Sequence, residues 1–173
     1  MSAPDDVEIR VARPGDARAY LEHRRVVAAD ERSWRAEPEV GRRATRRRFR
    51  RAWGQDEATI LALAGGEVVG SIGCVRERHP ANRHVATFGL AVAPGRRGEG
   101  IGAALVAEAV AWARAVGVEK LLISVYPTNE AAIALYRRSG FVEEGRLSRQ
   151  ARTPYGDADE ILMAAWVERE ERG

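Results

Sequence analysis

Cysteine occurs once in this 173-residue chain, as Cys74. A lone thiol closes no internal disulfide, and Cys74 lacks a metal-ligand neighbourhood, so neither a disulfide scaffold nor a metal site is expected; the residue reads as a small apolar group packed in a strand. No apolar run approaches the roughly 18 residues of a membrane span. Residues 1–6 are short and acidic rather than basic and then apolar, which gives no sign of a secretory leader. A cytoplasmic location without membrane attachment is therefore expected. Internal repeats and low-complexity tracts are also missing.

What is present describes a folded domain. Hydrophobic residues make up 45% and charged residues 31%, with a formal net charge of +3, so one domain over residues 1–173 with a real core is expected. Alternation at residues 7–11 predicts a first strand, followed by Asp16 as a helix N-cap. Two polar-faced helices are predicted at 16–29 and 38–53, and the segment between them, with Glu31, Trp34 and Glu37, is expected to border a substrate. Residues 59–64 and 67–75 flank Gly65-Gly66 and read as a hairpin. A fourth strand is predicted at 84–92. Ile101, Leu105, Ala109, Trp112 and Val116 then recur at helical spacing as one buried stripe, ended by Gly117. Residues 120–125 read as a buried fifth strand, parallel to the fourth because a helix joins them. Asn129 can cap a helix over 130–139, and 142–149 and 160–167 read as closing strands.

The most informative stretch runs from Leu90-Ala91-Val92 through Pro94 into Arg97-Gly98-Glu99-Gly100-Ile101-Gly102-Ala103. An apolar strand stops at proline, and a glycine-alternating turn opens into an amphipathic helix. Glycines allow close backbone approach to a ligand, while a helix start presents unpaired amides and the positive end of its dipole. A phosphate-bearing ligand suits such a turn, although close helix–strand packing also selects glycine. Gly98, Gly100 and Gly102 are evenly spaced, and no acidic residue follows about 20 positions on, so the dinucleotide fingerprint fails. No Gly-Lys-Ser/Thr follows, so the nucleoside triphosphate loop fails as well.

These residues carry a family resemblance. Arg97-Gly98-Glu99-Gly100-Ile101-Gly102 resembles the R/Q-x-x-G-x-G/A signature of the GCN5-related N-acetyltransferases. Asn129 through Phe141 is similar to that family's second hallmark, N-x-x-A-x-x-x-Y-x-x-x-G-F, and the likeness extends from Ile9 to Met163. The resemblance implies an α/β fold with a central, mostly antiparallel mixed sheet, a parallel pair splayed between strands four and five, and about four flanking helices. It implies acetyl-CoA as co-substrate, with amides from Arg97 to Ala103 on the pyrophosphate and the backbone of Leu90, Ala91 and Val92 along the pantetheine arm, which is the physics of strand addition. A backbone amide near these residues would polarise the thioester carbonyl, a contribution of about 3 kcal/mol in comparable sites.

Spacing alone describes Tyr136 as a buried core tyrosine; the resemblance gives it the role of proton donor to the departing thiolate. Asn129 is explained by capping, and the resemblance adds a contact to the pantetheine arm or a water. Residues 155–163 resemble the closing hairpin of bacterial members acting on small amines, amino acids or protein N-termini. Pairing through the closing strands would give a homodimer. Family members acting on protein α-amino groups often carry glutamate where this chain has Ser124. The proton acceptor for the amine is unassigned among Glu31, Glu77, His79 and His84, each of which also reads as a solvated residue. Arg42, Arg43, Arg46, Arg47, Arg50 and Arg51 gather on one helical face, with Arg48 nearby, while Phe49 and Trp53 read as core-facing. A solvated face is the plain explanation, and coenzyme A phosphates, an acidic partner or nucleic acid are the others. Two further readings are a basic nucleic-acid-binding module, whose affinity would collapse with salt, and a non-catalytic acyl-CoA sensor.

Overall fold

The computed structural model describes residues 3–30, 41–153 and 155–168. The expected substrate-bordering segment with Glu31, Trp34 and Glu37 lies outside them. The elements are β1 (Glu8–Val11), α1 (Ala17–Ala28), α2 (Arg42–Phe49), β2 (Glu57–Ala64), β3 (Glu67–Arg76), β4 (Val85–Val92), α3 (Ile101–Val116), β5 (Lys120–Val125), α4 (Glu130–Arg138), β6 (Val142–Thr153) and β7 (Gly156–Trp166). They form a seven-stranded sheet in the order β1-β2-β3-β4-β5-β7-β6. Every neighbouring pair is antiparallel except β4 and β5. The β2–β3 hairpin turns through Gly65 and Gly66 at φ of 57° and 86°, the left-handed geometry that a tight hairpin requires.

The sheet carries a pair of helices on each face. Ile101, Leu105, Ala109 and Trp112 of α3 and Ile133 and Tyr136 of α4 share one buried cluster with Ile72, Ala86, Leu121 and Met163. On the other face, Ala17 of α1 and Phe49 of α2 pack with Leu61, Leu63 and Val68. Trp112 is fully buried, and its indole N–H donates to the Gly54 carbonyl at 2.8 Å. At the far end of α3 the Arg76 guanidinium donates to the Val116 carbonyl at 3.0 Å and to that of Gly117 at 3.4 Å. A cation there satisfies terminal carbonyls and complements the helix dipole. The first turn of α3 lies directly on β3, where a Cβ at Gly70 would meet Ile101 Cγ2 at 2.9 Å.

Several expectations are corrected. The Asp16 carboxylate does not cap α1; it accepts from the Arg13 amide at 2.7 Å and takes both Arg10 guanidinium nitrogens at 2.7 and 2.9 Å. A local cation outcompetes the helix amides for it, and the same pairing holds its carboxyl below the usual carboxylate range. Helix α2 ends at Phe49 rather than 53, because the chain joins the sheet margin there: Thr59 N–H donates to the Ala52 carbonyl at 2.7 Å, and Trp53 bridges Ala58. Trp53 is consequently 42% exposed, not core-facing, whereas Phe49 is buried. The closing strands are longer than expected and meet in a hairpin across residues 153–156. Its outer part is polar and held by backbone pairing, so hydrophobic alternation carries no trace of it. Cys74 packs inside β3 as expected, and burial pushes its thiol up to about 12.

Candidate functional site

The parallel pairing of β4 with β5 covers only Val85–Thr87 against Lys120–Leu122. Beyond it β4 stays paired with β3 as far as Val92, and β5 stays paired with β7 as far as Val125. The two strands thus part while each keeps its outer neighbour. The Val85 carbonyl accepts from Glu77, and Ala93 N–H donates to Val69, so odd-numbered residues of β4 turn their polar groups to β3. The His84 carbonyl accepts from Glu119 and Lys120, so even-numbered residues turn theirs the other way. The amides and carbonyls of Leu90 and Val92 therefore face the gap, while Ala91 turns its backbone to β3.

At the end of this strand lies the glycine turn. A 3-10 turn at Pro94–Arg96 leads to Arg97 in extended conformation, then Gly98 and Gly100 at φ of 84° and 88°, and α3 starts at Ile101. The first helical bond of α3 is Ala104 N–H to the Gly100 carbonyl. Among the described residues, none of the amides from Arg97 to Ala103 has a hydrogen-bond acceptor. Consecutive amides around left-handed glycines at a helix start form a concave positive surface suited to a diphosphate. Gly102 is small for a second reason, since a Cβ there would lie 3.0 Å from Leu135 Cδ2 of α4.

The charged side chains of the turn are committed elsewhere. Arg96 pairs with Glu99 at 2.7 Å and with Asp6 at 3.0 Å, which draws the Glu99 carboxylate to a cation. Arg97 pairs with Asp30, next to the end of α1, at 2.6 Å and donates through Nε to the Val92 carbonyl at 3.3 Å. Its side chain braces the turn against the end of α1 and β4.

Tyr136 of α4 is 4% exposed and lies against Phe88 and Phe141, each with ring centroids 5.8 Å away. Phe88 is the β4 residue that follows the last parallel pair, so the ring stands at the base of the gap. Among the described residues the Tyr136 hydroxyl has no hydrogen-bond partner, and burial raises its pKa above the ordinary value. It is thus a neutral O–H donor at neutral pH. The Asn129 side chain accepts from Ala132 N–H at 3.2 Å and caps α4.

The sheet face toward α1 and α2 differs. Gly73 of β3 and Gly89 of β4 are direct cross-strand partners on it. A Cβ at Gly89 would meet nothing within 4 Å, and Gly89 is exposed. In the register set by Thr87 and Leu122, Ser124 of β5 stands across the gap from Gly89. The Ser124 hydroxyl donates a hydrogen bond to Glu160 Oε2 of β7, and Glu160 is 3% exposed. Sequence reasoning missed Glu160. No local signal marks it, because the contact joins residues 36 positions apart on strands whose register is set by the fold.

Other expected residues lie away from the gap. His79 accepts the Ala81 amide within its own turn, and exposed His84 precedes β4, about 20 Å from Leu90 at the rise of an extended strand. Glu77 follows β3 at that same end of the sheet. Glu31 falls outside the described residues. The α2 arginines at 42, 43, 46, 47, 50 and 51 are exposed, and among the described residues none of the six has an ion-pair partner, whereas Arg48 approaches Glu57 at 3.9 Å. No helix among the described residues is long and apolar enough to cross a membrane, and no group of three or more metal-ligating side chains occurs among them.

Comparison with known proteins adds four findings. The model of a family described as "Acetyltransferase (GNAT) family" matches residues 26–141, well over half of the chain. The L-amino acid N-acetyltransferase AaaT of Escherichia coli is 31% identical over 90 residues, covering 50% of this chain and 54% of that protein. The chain spans about half the length of the curated relatives it matches. Among solved structures, a GNAT-family acetyltransferase from Streptococcus pneumoniae superposes with a TM-score of 0.87 at 24% identity, over 93% of this chain and 99% of that one. The yncA protein of Salmonella typhimurium, solved with its cofactor acetyl-CoA, gives 0.83 at 18% identity, over 96% and 97%. At such identities these structures speak to the fold.

Proposed function

Because the chain belongs to the GNAT family of acetyltransferases, we propose that it transfers an acetyl group from acetyl-CoA to a primary amine by direct attack, with both substrates bound together. The observation that carries this reading is the run of amides from Arg97 to Ala103 without protein acceptors, set at the mouth of a gap edged by the polar groups of Leu90 and Val92. The residues fit the ligand. Amides from Gly98 to Ala103 would take the pyrophosphate, and the even-numbered edge of β4 would pair with the amide-rich pantetheine arm as an added strand. Acetyl-CoA supplies an acyl carbon activated as a thioester.

The chain's own groups do the rest. A β4 amide facing the gap, at Leu90, donates to the thioester oxygen as charge gathers there. Tyr136 holds a proton on its phenolic oxygen and gives it to the departing sulfur. Burial of the ring against Phe88 and Phe141 raises the pKa of that hydroxyl and keeps it protonated. The acceptor amine completes the reaction, and the α-amino group of an amino acid, as in the name of the Escherichia coli relative, is one such group.

Titration calorimetry of the folded protein with acetyl-CoA is expected to show uptake at one site. Thiol release is expected to require an added primary amine, with the product heavier by one acetyl group. Folded protein that takes up no acetyl-CoA would refute the assignment.

A further inference from the structure

Helix α2 breaks the usual rules for a surface helix. Its N-cap is Gly41, which offers no side-chain acceptor, and its first turn carries Arg42 and Arg43 where the helix dipole favours acidic groups. Arg42, Arg46 and Arg50 recur at four-residue spacing, as do Arg43, Arg47 and Arg51, so each meets a like charge one turn away. On the packed side Thr45 and Phe49 are buried, and Arg48 approaches Glu57 at 3.9 Å. The other six guanidinium groups are exposed, and among the described residues none of them has an ion-pair partner. Arg43, Arg46, Arg47 and Arg50 line one open depression beside Ala44. The sequence thus concentrates one sign of charge, at a cost to its own helix, on a face that the fold does not neutralise.

We propose that this face docks duplex DNA, held through the phosphates of both strands without reading their sequence. Each row of three arginines spans about 12 Å along the helix, the length of about three to four nucleotide steps. The rows lie about 100° apart around the axis, on the two flanks of the exposed side. A B-form major groove about 12 Å wide admits a helix about 10–12 Å across, which sets one row against each backbone. Guanidinium groups pair with phosphate oxygens in bidentate fashion, and the phosphates bring to the first turn of α2 the negative charge that it lacks.

The composition of the face favours this partner over other polyanions. A protein interface is anchored by buried aromatic or aliphatic side chains, and between residues 42 and 51 the side chains outside the packed side are arginines and Ala44. Single strands stack on a series of rings, whereas Trp53 offers one at the end of the face. A helix that lies in a membrane surface needs a free apolar side, and that of α2 is spent on the fold, where Phe49 clusters with Leu61, Leu63 and Val68 of β2 and β3. The surface is distinct from the gap between β4 and β5, and the inference goes beyond acetyl transfer without resting on it.

Fluorescence anisotropy tests the assignment with a labelled random-sequence DNA duplex, titrated with folded protein over a series of salt concentrations. With six phosphate contacts, log K is expected to fall against log salt with a slope of about −5, a loss of roughly 10³-fold between about 50 and 200 mM. Replacing one row, by Arg42→Gln, Arg46→Gln and Arg50→Gln together, keeps helix-forming residues and is expected to leave circular dichroism unchanged. The slope should flatten to about −3, and binding at about 50 mM should weaken by about tenfold or more. Arg114→Gln, Arg137→Gln and Arg138→Gln together remove the same charge from exposed positions of α3 and α4, on the other sheet face, and should hold affinity within about threefold. Should the row variant not fold, Arg47→Gln alone is expected to reduce the slope by about 1. The proposal is overturned if wild type takes up no duplex, if losing the row leaves the slope unchanged, or if the α3 and α4 variant loses as much affinity, which would assign binding to net charge. Tighter binding of single-stranded DNA, poly-L-glutamate or phosphatidylserine vesicles than of duplex at equal salt overturns it as well.

Discussion

Replacing His23 with leucine isolates a pH dependence of folding that the structure makes large. His23 lies on the buried side of α1 at 3% exposure, and among the described residues neither ring nitrogen has a hydrogen-bond partner. Burial, with the neighbouring Arg24 charge adding to it, lowers the imidazole from an ordinary 6.5 to about 4. The folded protein therefore keeps His23 neutral while the unfolded chain takes a proton below pH 6.5. Stability must fall as pH drops from about 6.5 toward 4, and level off below that, where both states bind the proton. At 1.36 kcal/mol per pH unit the full loss is roughly 3 kcal/mol, of which about 2.5 kcal/mol is reached by pH 4.5. His23→Leu removes the titration and two unpartnered polar atoms together, so at pH 7.5 it is expected to match wild type or exceed it by about 1 kcal/mol. Urea unfolding of both proteins at pH 7.5 and 4.5 measures this, with the slope m checked for constancy. A stability difference that does not change with pH refutes the reasoning. So does a variant weaker than wild type at pH 7.5, which would mean that the imidazole makes a bond of value.

Three other outcomes follow from the site and its frame. Tyr136→Phe keeps the ring against Phe88 and Phe141 and should lower turnover about tenfold or more with acetyl-CoA affinity nearly unchanged; steady-state rates and calorimetry together decide it. Gly98→Ala meets no atom within 4 Å but must hold φ at 84°, so it should cost about 1 kcal/mol of stability and weaken acetyl-CoA binding, whereas Gly102→Ala presses on Leu135 and should disturb α4 first. Comparing thermal melts with acetyl-CoA titrations separates the two causes. Asp16→Asn breaks the paired contact with Arg10 and should cost about 2 kcal/mol at pH 7. Because the folded carboxyl is held below its ordinary value of 3.8, that contribution is present above this pH and disappears as pH falls through the lowered one, where wild type and variant should converge in urea unfolding.

Local chemistry was legible where a single segment decides the outcome. Gly65-Gly66 announces its hairpin, the four-residue recurrence from Ile101 to Trp112 announces α3, and the apolar 120–125 run after a helix announces a parallel strand. Residues whose role depends on a distant partner were not legible. Asp16 looks like a cap until Arg10 is folded beside it, and Trp53 looks like the end of a helix face until Ala58 draws its backbone into the sheet margin. Glu160 is the clearest case. In the sequence it is one acidic residue in a polar hairpin, and only the β5–β7 register carries it to Ser124.

The gap between β4 and β5 follows from the same topology. β4 is bound to β3 over its whole length and β5 to β7 over its own, so neither strand can move to close the gap without losing a ladder already formed. Backbone polar groups inside a sheet are normally paired, and leaving those of Leu90 and Val92 open works against stability. Among the described residues, Val92 alone of the two gains a side-chain donor, from Arg97. An extended ligand with its own amides restores the missing ladder, whereas a compact apolar ligand would leave it open. The shape of the sheet therefore suits the proposed ligand, a long, amide-bearing arm with an anionic end at the glycine turn. On the acetyl-transfer reading proposed above, the reactive end of such an arm would lie near Tyr136 at the base of the gap.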